Sequence, residues 1–103
     1  MDEDLKERIE NDIKKNKVML YMKGTPEEPQ CGFSAQVISV LKTYNVPFET
    51  FNILEDDDIR QGIKEYSDWP TVPQLYVNGE FIGGCDILTE MHSSGELGPV
   101  LEK

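Results

Sequence analysis

Nine residues, Gln74-Leu-Tyr-Val-Asn-Gly-Glu-Phe-Ile82, restrict the architecture of this chain more than any others. Asn78-Gly79 between two short runs of apolar, β-branched and aromatic residues specifies a two-residue hairpin turn, because both turn positions need a left-handed backbone that Asn and Gly tolerate. A sheet that ends in such a hairpin contains an antiparallel pair, so an all-helical chain and a purely parallel sheet are both excluded.

The remaining pattern builds the rest of that sheet. Leu5, Ile9 and Ile13 recur at helical spacing in a charged background, predicting a first helix that runs to about Lys15. The run KVMLYMKG that follows reads as a buried strand, stopped by Gly24 and the two prolines of GTPEEP. Ala35, Val37, Ile38, Leu41 and Tyr44 predict a second helix, closed by Asn45-Val46-Pro47 before a strand in PFETFNI. Two strands joined by a helical crossover form a parallel, right-handed unit. In EDDDIRQGIKEYSD the acids suit a helix's positive end, and Ile59, Ile63 and Tyr66 share one face, predicting a third helix despite Gly62. Beyond the hairpin, Ile87, Leu88 and Met91 predict a fourth helix, and Leu97, Val100 and Leu101 a short fifth one, with Ser93 and Glu96 placed as a capping box. The order α-β-α-β-α-β-β-α-α predicts one α/β domain over residues 1–103. Its four-stranded mixed sheet carries helices on both faces, a thioredoxin-like arrangement.

Charge narrows the partners. Twenty acidic residues against ten basic ones give a net charge of -10, a field that repels nucleic-acid backbones and anionic lipid, so neither nucleic acid nor membrane is expected as a partner. An anionic ligand would need local cations, which makes Lys23 and Arg60 worth following. The start MDEDLKERIENDIKK resembles neither a secretory signal nor a transit peptide, so the expected location is a reducing one, most simply the cytoplasm, with a processed organellar product as the alternative. Cys31 and Cys85 are too few for a disulfide scaffold and are left as buried apolar side chains, a redox pair or metal ligands.

In open α/β sheets ligands bind beyond the C-terminal ends of the parallel strands, where loops enter helices, and Cys31 falls there. A thiol at a helix N-terminus faces unpaired N–H groups and the positive dipole end, which favour thiolate, and Lys23 would add a cation. The alternative is an inert buried cysteine. A dithiol enzyme resolves its mixed disulfide with a second thiol three residues on, and here that position is Ser34. Release then requires an external thiol, or Cys85 if the fold brings it near. Cys31 as a ligand is one thiolate where an iron-sulfur cluster takes four.

Lys23-Gly24, Cys31-Gly32-Phe33-Ser34, Trp69-Pro70, Thr71-Val72-Pro73 and Gly83-Gly84-Cys85-Asp86 together resemble the monothiol glutaredoxins of the CGFS type, in order and spacing over essentially the whole chain. The resemblance implies that the missing ligands come from glutathione and a second copy: a [2Fe-2S] cluster bridged in a homodimer by Cys31 of each subunit and one glutathione thiolate on each. It also implies that Lys23 and Arg60, with Lys64 as a possible helper, meet the glycine carboxylate of glutathione. The Val72 backbone, before a cis Pro73, would pair with its cysteinyl segment, and Cys85 and Asp86 would take its γ-glutamyl end. Taken singly, Lys23 and Arg60 also read as solvated charges and Asp86 as an N-cap. Phe33 reads as an exposed neighbour of the thiolate or a core residue, Trp69 as packing before Pro70, Gly83 and Gly84 as a close backbone approach or a plain turn, and His92 as a surface residue.

Two functions follow from the resemblance. One is a carrier of a labile cluster that exchanges it with assembly machinery and apo iron-sulfur client proteins, or senses iron with a BolA-family protein. The other is a glutathione-dependent thiol-disulfide oxidoreductase acting on protein mixed disulfides. Residues Thr25 to Pro29 resemble the lengthened loop that in this class goes with weak transferase activity, which favours the carrier. A reversible Cys31–Cys85 disulfide is a third expectation.

Overall fold

A computed structural model describes residues 1–103, and its elements follow the order read from the sequence. Helix α1 (Glu3–Lys15) starts at Asp2, whose carboxylate accepts from the N–H groups of Asp4 and Leu5 at 2.8 and 3.3 Å. The acidic start therefore satisfies donors that have no partner inside the helix. Strand β1 (Val18–Met22) is buried along its whole length, and helix α2 (Gly32–Lys42) carries the chain to β2 (Glu49–Asn52), which pairs parallel with β1. The strand expected in PFETFNI is shorter than its sequence pattern. Asn52 Oδ1 accepts the Leu54 N–H at 3.0 Å and turns the chain into a single 3-10 turn over Ile53–Glu55. A side chain that bonds backbone two residues ahead competes with the strand ladder, and here it ends it. Asp56 caps α3 (Asp57–Ser67) through Asp58 and Ile59 and pairs with Arg8 of α1 at 2.9 Å.

Strands β3 (Gln74–Val77) and β4 (Glu80–Gly83) form the hairpin, with Asn78 and Gly79 at φ 53° and 83°. β3 runs antiparallel to β1, giving the order β2-β1-β3-β4. Helices α4 (Cys85–Ser94) and α5 (Leu97–Glu102) complete the chain. The capping box expected from Ser93 and Glu96 does not form. Gly95, at φ 82°, ends α4 with Glu96 N–H donating to Met91 O, so Ser93 lies inside the last turn of α4 and Glu96 starts α5 without a side-chain cap.

The pleat sorts the core into two layers. Val18, Leu20 and Met22 pack with Val37, Ile38, Leu41, Leu88, Leu97 and Leu101 on the α2/α4/α5 side. Met19 and Tyr21 pack with Ile9, Ile13, Ile59 and Ile63 on the α1/α3 side. Gly62 faces α1 closely, a Cβ there falling 2.7 Å from Leu5 Cδ2, so a side chain at this position would make Leu5 shift. No helix is long and apolar enough to cross a membrane.

Candidate functional site

The parallel strands β1 and β2 end at one rim, and two residues lock the chain there. Gly24 sits at φ 89°, where a Cβ would lie 2.5 Å from Glu28 O and 2.6 Å from Gln30 N, so only glycine fits. Its N–H donates to Asn52 Oδ1 at 2.9 Å, tying the end of β1 to the end of β2. The loop beyond is closed on itself: Thr25 and Glu28 exchange backbone hydrogen bonds, and Gln30 N–H donates to Lys23 O at 2.9 Å. This small hairpin delivers Cys31 to the N-cap of α2, at φ -153° and ψ 136°.

Cys31 is half-buried, and its sulfur has no close capping bond as a thiol. The environment nonetheless favours the thiolate. The Ser34 N–H, foremost, and the Phe33 N–H, with the Lys23 charge and the Ser34 hydroxyl, hold its pKa below the ordinary thiol value, against partial burial. Ser34 is fully buried, and its hydroxyl accepts the Lys23 N–H at 3.1 Å. The serine in the position of a resolving thiol is therefore a strut between β1 and α2, a role its place in the sequence does not reveal. Asn52 is a second such residue, since one side-chain oxygen serves both Gly24 and Leu54.

Beside the sulfur opens a cleft of about 190 Å³ lined by Phe33, Trp69, Thr71, Val72, Pro73, Gly84, Cys85, Asp86 and Ile87. The fold thus brings Val72, Cys85 and Asp86 together from β3's approach loop and α4, with the Val72–Pro73 bond cis as expected. Gly84, not Asp86, is the N-cap of α4, and the exposed Asp86 lies in its first turn, so the reading of Asp86 as only a cap falls away. Lys23 follows the end of β1 within reach of the Cys31 charge, and neither these two residues nor Arg60, in α3, is among the residues that line the cleft. Neither Lys23 nor Arg60 nor Lys64 has a carboxylate partner, the chain's two ion pairs being Met1–Glu65 and Arg8–Asp56.

Cys85 is also half-buried, but burial, with the charges of Asp86 and Cys31, pushes its thiol up, against a hydrogen bond from Thr89. Phe33 is 61% exposed at the cleft edge, which decides against a core role. Trp69 lines the cleft and packs on Phe81, with its buried Nε1 unpaired. Gly83 has no room for a side chain, a Cβ there falling 2.8 Å from Ile87 Cγ2. His92 departs from the surface reading: it is half-buried, with Nδ1 2.6 Å from the Tyr44 hydroxyl and the two rings edge to face, because α2 and α4 pack side by side. No three His, Cys, Asp or Glu side chains gather to hold a metal ion, so Cys31 is a single thiolate donor per chain.

A glutaredoxin family model matches residues 18–82. A Synechocystis sp. protein, an uncharacterized monothiol glutaredoxin of the ycf64-like kind, is 55% identical over 102 residues, covering 99% of this chain and 95% of its own. The mitochondrial monothiol glutaredoxin-S15 of Arabidopsis thaliana is 56% identical over 93 residues, covering 90% of this chain; the chain spans 55% of that relative's length. The solved structure of reduced poplar apo GrxS14 superposes with a TM-score of 0.84 at 55% identity, over 95% of this chain and 90% of that one.

Proposed function

The chain belongs to the glutaredoxin family, in its monothiol branch, and from that premise we propose that it binds glutathione and carries a labile [2Fe-2S] cluster as cargo between two copies of itself. The observation that carries this reading is Cys31, a half-buried, thiolate-stabilised sulfur near an open cleft, with a buried serine where a resolving thiol would stand. A cluster takes four sulfur ligands and Cys31 offers one thiolate per chain; in the arrangement that the family resemblance implies, a second copy and two glutathione thiols complete the set. The cargo, when bound, supplies iron and sulfide for transfer.

The chain's own residues hold the glutathione. Val72 offers its backbone to the cysteinyl segment as an added strand would. The first turn of α4, capped by a glycine with no side chain, offers the free N–H groups of Cys85 and Asp86 to the γ-glutamyl carboxylate. Lys23 and Arg60, free of carboxylate partners, meet the glycine carboxylate. Exchange with assembly machinery and apo iron-sulfur clients, or a mixed complex with a BolA-family protein, would use the face around Cys31. Two free cysteines suit a reducing compartment, the cytoplasm or an organelle matrix.

Thiol transfer is the second reading, since the same thiolate can attack a glutathione mixed disulfide and leave glutathione to resolve it. The test is anaerobic reconstitution with iron, sulfide and glutathione, read by visible absorption, circular dichroism and gel filtration. The carrier reading expects a coloured, glutathione-dependent dimer that Cys31→Ser abolishes. A colourless monomer with robust glutathione-coupled disulfide reduction would replace it with the transferase.

A further inference from the structure

Gln74 opens β3, and its side chain is 0% exposed. A carboxamide is stable there only if its donors and acceptor are all engaged. Nε2 donates to Trp69 O at 3.2 Å and to Thr71 O at 3.1 Å, and Oε1 accepts from the Tyr76 hydroxyl at 3.0 Å. Carbonyl oxygens only accept, so the amide has one possible orientation, nitrogen toward the loop and oxygen toward Tyr76. Glutamate would set an acceptor against two carbonyls, and methionine offers no donor.

The Thr71 carbonyl shares a peptide unit with the Val72 N–H. In a planar trans peptide the C=O and N–H point in opposite directions, and the chain's one cis bond is the next one along. Holding Thr71 O toward Gln74 therefore turns the Val72 N–H the other way, where it has no acceptor in the chain, and Val72 lines the cleft.

Resting on the glutathione reading above, we infer that Gln74 is a positioning residue for ligand recognition: its carboxamide sets the Thr71–Val72 peptide plane so that the Val72 N–H is aimed at a carbonyl of the bound tripeptide. It touches no ligand itself. Without it the 69–73 loop must be ordered when glutathione binds, and part of the binding free energy goes into that ordering.

The test is calorimetric titration with reduced glutathione, alongside amide NMR spectra that follow Val72, on wild type, Gln74→Met, Gln74→Glu and Tyr76→Phe. Gln74→Met is expected to bind about tenfold more weakly, the scale of one neutral hydrogen bond, with a diminished glutathione-induced shift of the Val72 amide. Gln74→Glu is expected to be equally weak near neutral pH and to recover toward about pH 5, as its buried carboxyl takes up a proton and regains a donor. Tyr76→Phe removes the bond to Oε1 but neither loop bond, and is expected to lower Tm with affinity held within about twofold.

A wild type that binds no glutathione overturns the glutathione reading together with this assignment. A wild type that binds, with Gln74→Met and Gln74→Glu unchanged in affinity and Val72 shift, overturns the role of Gln74 alone. Should Gln74→Met fail to fold, a flat affinity of Gln74→Glu across the acidic range overturns it equally. Tyr76→Phe as weak as Gln74→Met would point to general loosening of β3, and also overturns it.

Discussion

Two helices begin beside the same cleft, each with a cysteine in its opening turn, and the two thiols are driven in opposite directions. In α2 the cysteine is itself the N-cap, and the nearby Ser34 and Phe33 N–H groups favour its thiolate although no capping bond to the sulfur is formed. In α4 the N-cap is Gly84 and Cys85 is the first helical residue; its half-buried sulfur gains no stabilisation from the free N–H groups, and burial and the Asp86 charge push its thiol up. A helix terminus alone therefore does not make a reactive thiol. One residue of register decides whether the terminal N–H groups stabilise the protein's own sulfur or remain available to a ligand.

The largest effect that could break this contrast is in thiol reactivity. At mildly acidic pH Cys31 should alkylate roughly a hundredfold faster than Cys85, with Cys31→Ser deleting the fast phase and Cys85→Ser sparing it, as read by mass spectrometry of labelled peptides. Comparable rates would mean that the N-cap position confers nothing.

Next comes the loop that sets that register. Gly24→Ala places a methyl against backbone at 2.5 Å with φ at 89°, and is expected to destabilise the fold by about 3 kcal/mol in urea unfolding. Its surviving folded fraction should show slower Cys31 alkylation with Cys85 unaltered, because only the α2 side depends on this turn.

Ser34→Ala is a smaller and sharper cut. It strands the Lys23 N–H and removes a donor near the sulfur, so about 1–2 kcal/mol of stability should be lost and the Cys31 pKa should rise, measured by titrating thiolate absorbance. An unmoved pKa would assign the whole effect to the backbone donors.

The smallest expected effect is the pH dependence of stability. A Cys31 pKa depressed in the fold means that the unfolded chain binds more protons between the folded value and the ordinary value of about 8.5. Wild type should gain stability over Cys31→Ser as pH rises through that window and level off above it. For Cys85 the sign reverses: its raised pKa makes the folded thiol the better proton binder, so wild type should lose stability relative to Cys85→Ser above the ordinary thiol value. Parallel profiles for the two variants would contradict the contrast.

What could be read in the sequence was local. Asn78-Gly79 named the hairpin, the acids of the EDDD run announced the start of α3, and the spacing of Ile9, Ile13, Ile59 and Ile63 placed the faces of α1 and α3. Each of these signals acts within one or two turns of chain, where geometry follows residue type. The motif resemblance set Val72, Cys85 and Asp86 around one ligand, and they do line one cleft, yet nothing in spacing or motif said that Cys31, Lys23 and Arg60 fall outside its lining.

Where local signals competed, the sequence pattern misled. Ser93 and Glu96 have capping-box spacing, but Gly95 between them ends α4 first. His92 has no evident partner in the sequence, but Tyr44, 48 residues earlier, is bonded to it.

By itself, then, the sequence determined the element order, the hairpin and the placing of Cys31 where a loop enters a helix. Only the tertiary structure decided that Ser34 braces Lys23, that Asn52 holds Gly24 from 28 residues away, that Cys85 is pushed up while Cys31 is held down, and that Gln74 grips the loop in front of it. The physical reason is common to all four. A buried polar atom takes its role from the groups packed around it, and those groups are set by how the sheet and helices close on one another.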